Sequence, residues 1–120
     1  MDDLNTLIAR LSAPEAVQRI CAADALAALA RIEAIPALTA ALMDADDSVR
    51  GHAAVALART GAAHPAHAER IAESLTPLLA AENLYLRWAV ADALTELGPG
   101  VAPAIPALLA AWLVADKEAY

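Results

Sequence analysis

A chain of 120 residues has the length of one domain, and 35 of its residues are alanine. Apolar residues reach 60% and aromatic residues 3%, with one Cys, a net charge of −7 and a pI near 4.7. This balance excludes a disordered chain, a disulfide-stapled or multi-Cys metal fold, and a nucleic-acid binder, whose phosphate contacts need Lys and Arg.

Met1-Asp2-Asp3 opens the chain with acid. A signal peptide needs a basic start and an apolar run, so a cytoplasmic protein is expected. Apolar spacing predicts helices at 3–11 and 14–30, the second entered through Ser12-Ala13-Pro14-Glu15, which has the form of a capping box. The next helix, 35–43, starts at Ile35-Pro36 and carries Leu38 and Leu42 four apart. Asp44 to Asp47 can cap a helix at 47–60, and Gly61 sits where a left-handed residue would end it. Ala62 to Ala68 reads as an exposed loop. Pro77 should kink a helix at 67–81. Asn83 caps a helix at 84–97, whose apolar stripe is Leu86, Val90, Ala93, Leu94 and Leu97. Gly98 and Pro99 end it, and a lone helix is expected at 103–115. The uncharged run from Leu97 to Ala115 approaches the roughly 20 residues that span a bilayer. Its Gly and Pro residues break it, so a buried helix is expected and no membrane partner.

The elements repeat. Ile35-Pro36-Ala37-Leu38 returns as Ile105-Pro106-Ala107-Leu108, 70 positions later. Ala23-Asp24-Ala25-Leu26 returns as Ala91-Asp92-Ala93-Leu94, 68 positions later. Offsets of 31 and then 37 align Arg19, Arg50 and Arg87, align Leu7, Leu38 and Leu75, and align Leu11, Leu42 and Leu79. The longer second offset places a six-residue insertion at the loop that holds His64, Pro65 and His67. Repeats are expected at about 3–34, 35–66 and 67–100, with a half-repeat at 101–120 and one domain over 1–120. No helix pair of this kind buries its apolar face alone. Stacking buries all of them, and alanines let the pairs approach.

The second unit carries a resemblance to a known family. Ile35-Pro36-Ala37-Leu38 is followed by Leu42-Met43-Asp44-Ala45-Asp46-Asp47-Ser48-Val49-Arg50, then Ala53-Ala54-Val55-Ala56-Leu57 and Gly61. This resembles the HEAT-like repeats of the phycobilisome-lyase type. The resemblance implies an all-α fold, a right-handed α-α superhelix or HEAT-like solenoid of about three and a half helix-pair repeats. It also implies a ladder of hydrogen bonds between turn Asp and helix Arg residues, with Asp44, Arg19, Arg50 and Arg87 as its members. Ala13 and Ala81 stand where the flanking units would have the Asp, so the arginines there are expected to bond turn carbonyls or a neighbour's carboxylate.

Catalytic signals are absent. His64 and His67 are three apart but flank Pro65, with no Cys or carboxylate cluster beside them, and read as solvated loop histidines rather than metal ligands. Cys21 aligns with His52 and reads as a half-buried thiol, since a nucleophile needs a base and an orienting group. No Gly-rich phosphate loop, HExxH or G-x-S-x-G occurs. The His-Glu pairs on which deoxyhypusine hydroxylase, a HEAT-repeat metalloenzyme, depends are missing too, and no cofactor is expected.

The second helices of HEAT-like solenoids line the concave face, so the resemblance implies a shared surface for Tyr85, Trp88, Asp92 and Glu96 with Asp24, His52 and Arg59. Trp88 is read there in two ways, as a binding anchor or as cover for a seam between repeats. The expected function is a non-catalytic scaffold that binds another protein through this face. The alternatives are an accessory subunit of a bilin-lyase-like enzyme and a regulatory module of a larger assembly. Trp112 aligns with core positions. If Leu109, Leu113 and Val114 are exposed, they would invite a homodimer through the half-repeat.

Overall fold

A computed structural model describes residues 3–97. It contains six α-helices: α1 (Leu4–Arg10), α2 (Ala16–Leu29), α3 (Ile35–Ala41), α4 (Asp47–Ala63), α5 (Ala68–Leu75) and α6 (Leu84–Leu97). Short 3₁₀ turns at Ile32–Ala34, Pro65–His67 and Thr76–Ala80 join them, and no strand occurs among the described residues. The expected helix at 103–115, with Trp112 and the proposed dimer face, lies outside the described residues.

Local chemistry sets the helix starts. Asp3 caps α1 by accepting the Thr6 N–H at 2.8 Å. Asp46 caps α4 through Ser48 N–H at 2.8 Å and Val49 N–H at 3.2 Å, and Asn83 caps α6 through Leu86 N–H at 2.9 Å. Pro36 occupies the first turn of α3, where its missing N–H costs nothing. The capping box expected at Ser12–Glu15 does not form. Ser12 closes the turn after α1, and α2 begins one residue beyond Glu15, whose side chain caps nothing.

Three other expectations are corrected. Gly61 does not end α4; it is buried inside it, where a Cβ would press on Leu97 and come within 3.2 Å of Ile71 Cδ1. A glycine is needed there for close approach, not for a left-handed turn. The inserted segment is no open loop. It extends α4 to Ala63 and adds a 3₁₀ turn, and His64 is half-buried with its Nε2 2.8 Å from the Ala30 carbonyl oxygen. Pro77 does not bend a long helix. It divides it, because its ring nitrogen cannot donate, so α5 stops at Leu75 and tightens into the 3₁₀ turn Thr76–Ala80.

The helices pair in order. α1 packs on α2, α3 on α4, and α5 with its 3₁₀ extension on α6. The larger interfaces join the second helices, with α4 held between α2 and α6. The principal extents are 45 × 31 × 17 Å. The smallest fits two helices deep, given interaxial spacings of about 8–10 Å. One continuous core runs the length of the stack through Leu7, Leu26, Leu38, Leu57, Leu75, Leu86 and Leu94. Ala53, Ala54, Ala56 and Ala58 are wholly buried on α4, so their small side chains are what lets α2 and α6 approach it from both sides. Thr60 is the buried polar residue of the described core, and its hydroxyl donates to the Ala56 carbonyl at 2.8 Å.

Candidate functional site

Polar side chains at the starts of α2, α4 and α6 tie the three helices together. Arg19 folds back over the α1–α2 turn, donating from Nη1 to the carbonyls of Ala13 at 2.7 Å and Pro14 at 3.1 Å. The same guanidinium reaches the next pair of helices. Its Nε lies 2.9 Å from Asp44 Oδ2 and its Nη2 3.2 Å from Asp44 Oδ1. Both side chains are largely buried, at 16% and 12% exposed; Nη2 makes the hydrogen bond, while Nε, close as it is, adds ion-pair attraction without hydrogen-bond geometry. Asp44 Oδ1 also accepts the Asp46 N–H at 2.9 Å, which sets up the α4 cap.

The following connection uses different residues. Arg50 pairs with Asp47, three residues before it on α4. Asp47 Oδ2 accepts Asn83 Nδ2 at 2.8 Å, and Asn83 in turn caps α6. Sequence reasoning took Asn83 as a cap only and gave Asp47 no bridging role. Its signal was the amide itself, which has a donor left over once its oxygen caps the helix. Arg87 is half-buried in the first turns of α6.

With their starts tied, the three second helices present one surface. From α2 come Val17, Cys21, Asp24 and Ala28; from α4 come Ser48, His52, Val55 and Arg59; from α6 come Tyr85, Trp88, Asp92 and Glu96. His52 Nδ1 lies 2.7 Å from Asp24 Oδ1, bridging α2 and α4. Arg59 Nε stands 3.8 Å from Glu96 Oε1, bridging α4 and α6. Both pairs are open to water, and such pairs are worth little in stability. The Tyr85 ring lies on Gly51 of α4, where a Cβ would come within 2.9 Å of Cε2 and 3.0 Å of the hydroxyl oxygen. Gly51 is therefore the seat of the ring. Leu84, Tyr85 and Trp88 line a shallow apolar dish at the start of α6.

Cys21 is exposed rather than half-buried, because its α2 stripe has no helix packed over it. It borders a groove of about 370 Å³ lined by Leu7, Arg10, Val17, Gln18, Cys21, Ala22 and Ala25. His52, its aligned counterpart, turns its Nδ1 to Asp24. His64 and His67 do not form the expected solvated pair, since His64 holds the end of α2 through Ala30. Among the described residues, no three His, Cys, Asp or Glu side chains gather as a metal site would require. No described helix is long and apolar enough to cross a membrane.

Two carboxyls lie below their ordinary range, both in turns that start helices and away from the shared surface. The Thr6 hydroxyl and N–H lower Asp3. A bond to its own backbone and the Arg31 guanidinium lower Glu33.

No protein-family model matches the chain, and no curated protein matches it. Among solved structures it is similar to an engineered protein known from a crystal structure, with a TM-score of 0.69 and 26% sequence identity. The match covers 92% of this chain and 51% of that one, so the chain spans about half the length of the engineered protein.

Proposed function

We propose that the chain is a HEAT-like α-solenoid module, a right-handed stack of about three and a half helix pairs, that binds another protein through the joint surface of α2, α4 and α6. The observation that carries this reading is the placement of large apolar side chains on a polar surface. Trp88 is 53% exposed, Tyr85 50% and Leu84 47%, side by side on one helix. Aromatic side chains in such settings are the usual anchors of protein interfaces. The shared 31- and 37-residue offsets support the repeat reading, as does Arg19 reaching from one helix pair to the next.

The test is a paired capture from host lysate, read by mass spectrometry. One bait is the chain itself; the other carries Trp88→Ala with Leu84→Ser and is checked for folding by circular dichroism. Tyr85 stays, because it also packs on Gly51. A protein held by the first bait and lost by the second supports the reading. Equal retention on both baits, or retention on neither, refutes this surface as the binding site.

A further inference from the structure

We infer that the segment accepted by this surface is a cationic amphipathic stretch of a partner protein, with an apolar side chain seated on the Leu84–Tyr85–Trp88 dish and Lys or Arg side chains reaching Asp92, Glu96 and Asp24. The inference rests on reading the α2/α4/α6 surface as an interaction face and adds the chemistry of the occupant.

Charge is the first argument. Asp24, Asp92 and Glu96 face one arginine, Arg59, across the surface, and the whole chain carries a net charge of −7. A field of that sign attracts a basic segment and repels nucleic acid, anionic lipid and acidic peptides.

The position of the charges on α6 is the second. Carboxylates stabilise a helix near its start and oppose its dipole near its end. The first turn of α6 holds no acid and its last turn no base, while Asp92 and Glu96 occupy the second half. This is the arrangement that folding of α6 disfavours, and an arriving cation relieves it.

Spacing is the third. At about 1.5 Å rise per residue, Asp92 stands about 6 Å along the axis from Trp88, and Glu96 about 12 Å. Those intervals match basic residues four and eight positions from an apolar anchor on a helical ligand.

The probes are three fluorescein-labelled helical peptides of one design, with a leucine face and a polar face of Lys, Gln or Glu. Binding is followed by anisotropy at low and at high salt. The expected result is binding of the Lys peptide well ahead of the others, weakening as salt is raised. Asp92→Asn with Glu96→Gln should weaken it about tenfold at low salt and little at high salt, as expected for steering and screened charge. Trp88→Ala should weaken it about tenfold at both, as expected for an apolar anchor. Glu69→Gln with Glu73→Gln removes the same charge from exposed positions of α5 and should change neither.

Equal binding of the Gln and Lys peptides, lost with Trp88→Ala, overturns the cationic inference and leaves the interaction face standing. Equal weakening by the α5 pair and the α6 pair overturns it also, since bulk charge would then account for binding. Binding insensitive to Trp88→Ala and to the α6 pair overturns both the inference and the face on which it rests.

Discussion

The contact between Arg19 and Asp44 gives the sharpest test of how the helix pairs are held together. Asp44→Ala removes one charge-assisted hydrogen bond, at 3.2 Å, together with the 2.9 Å ion-pair contact of Nε, and the Asp46 N–H loses its 2.9 Å acceptor. Arg19 is not orphaned, because the Ala13 and Pro14 carbonyls still accept from Nη1. Bonds to charged groups are worth about 1.5–3 kcal/mol net, and the retained carbonyl bonds keep the loss within about 2–3 kcal/mol. Arg19→Met keeps most of the aliphatic stem and should cost about 2 kcal/mol by the same reasoning. The two effects should not add. In a double-mutant cycle read by urea unfolding, the coupling should be about 1–2 kcal/mol, and each kcal/mol should lower Tm by about 4 °C. Because both side chains are mostly buried, the coupling should survive about 0.5 M salt. A coupling under about 0.5 kcal/mol would refute the argument that this contact joins neighbouring pairs.

Two further outcomes are expected. Ala30 closes α2 at φ 50°, ψ 48°, a left-handed conformation that costs a residue with a Cβ about 1–2 kcal/mol. Ala30→Gly should raise stability by about 0.5–1 kcal/mol after the added flexibility of the unfolded chain, and a lower urea midpoint would contradict this. Asp3 and Glu33 have folded pKa values below their unfolded ones, so the stability they contribute is complete above the unfolded range and disappears as pH falls through the folded range. Tm should therefore fall below about pH 4, and Asp3→Asn should flatten part of that fall; a Tm that rises on acidification is the contrary result.

The helices were legible because one physical rule set them. Each apolar stripe recurs at helical spacing, and the predicted 84–97 and the start at Asp47 coincide with α6 and α4. Caps drawn from Asp46 and Asn83 were legible for the same reason, since a side chain that bonds its own helix start is a local matter. The misreadings lie where distance in sequence separates the partners. Gly61 looks like a helix stop until Leu97 is brought against it, 36 residues on. His64 looks like a loop residue until the Ala30 carbonyl, 34 residues back, is set beside it. Asp47 looks like one acid among several in a turn, and only the fold gives it Asn83. On the candidate surface, the outward stripe of each second helix could be read from its periodicity. The pairing of Asp24 with His52, and the seating of Tyr85 on Gly51, depend on how far each helix slides along its neighbour, which no single helix encodes.

The central position of α4 has a consequence for how such a protein can diverge. Hemmed in by α2, α3, α5 and α6, its buried positions are confined mostly to alanine and glycine, and a larger side chain at Gly51 or Gly61 would displace a neighbour. Between its two ends, a narrow strip of Ser48, His52, Val55 and Arg59, with Asp47 and Arg50 beside it, remains at least partly in contact with solvent. Descendants of this chain that change their surface must therefore rewrite the outer helices and that strip, while the middle helix keeps an almost fixed vocabulary. Versatility would accumulate at the margins of the stack, around a centre too crowded to change.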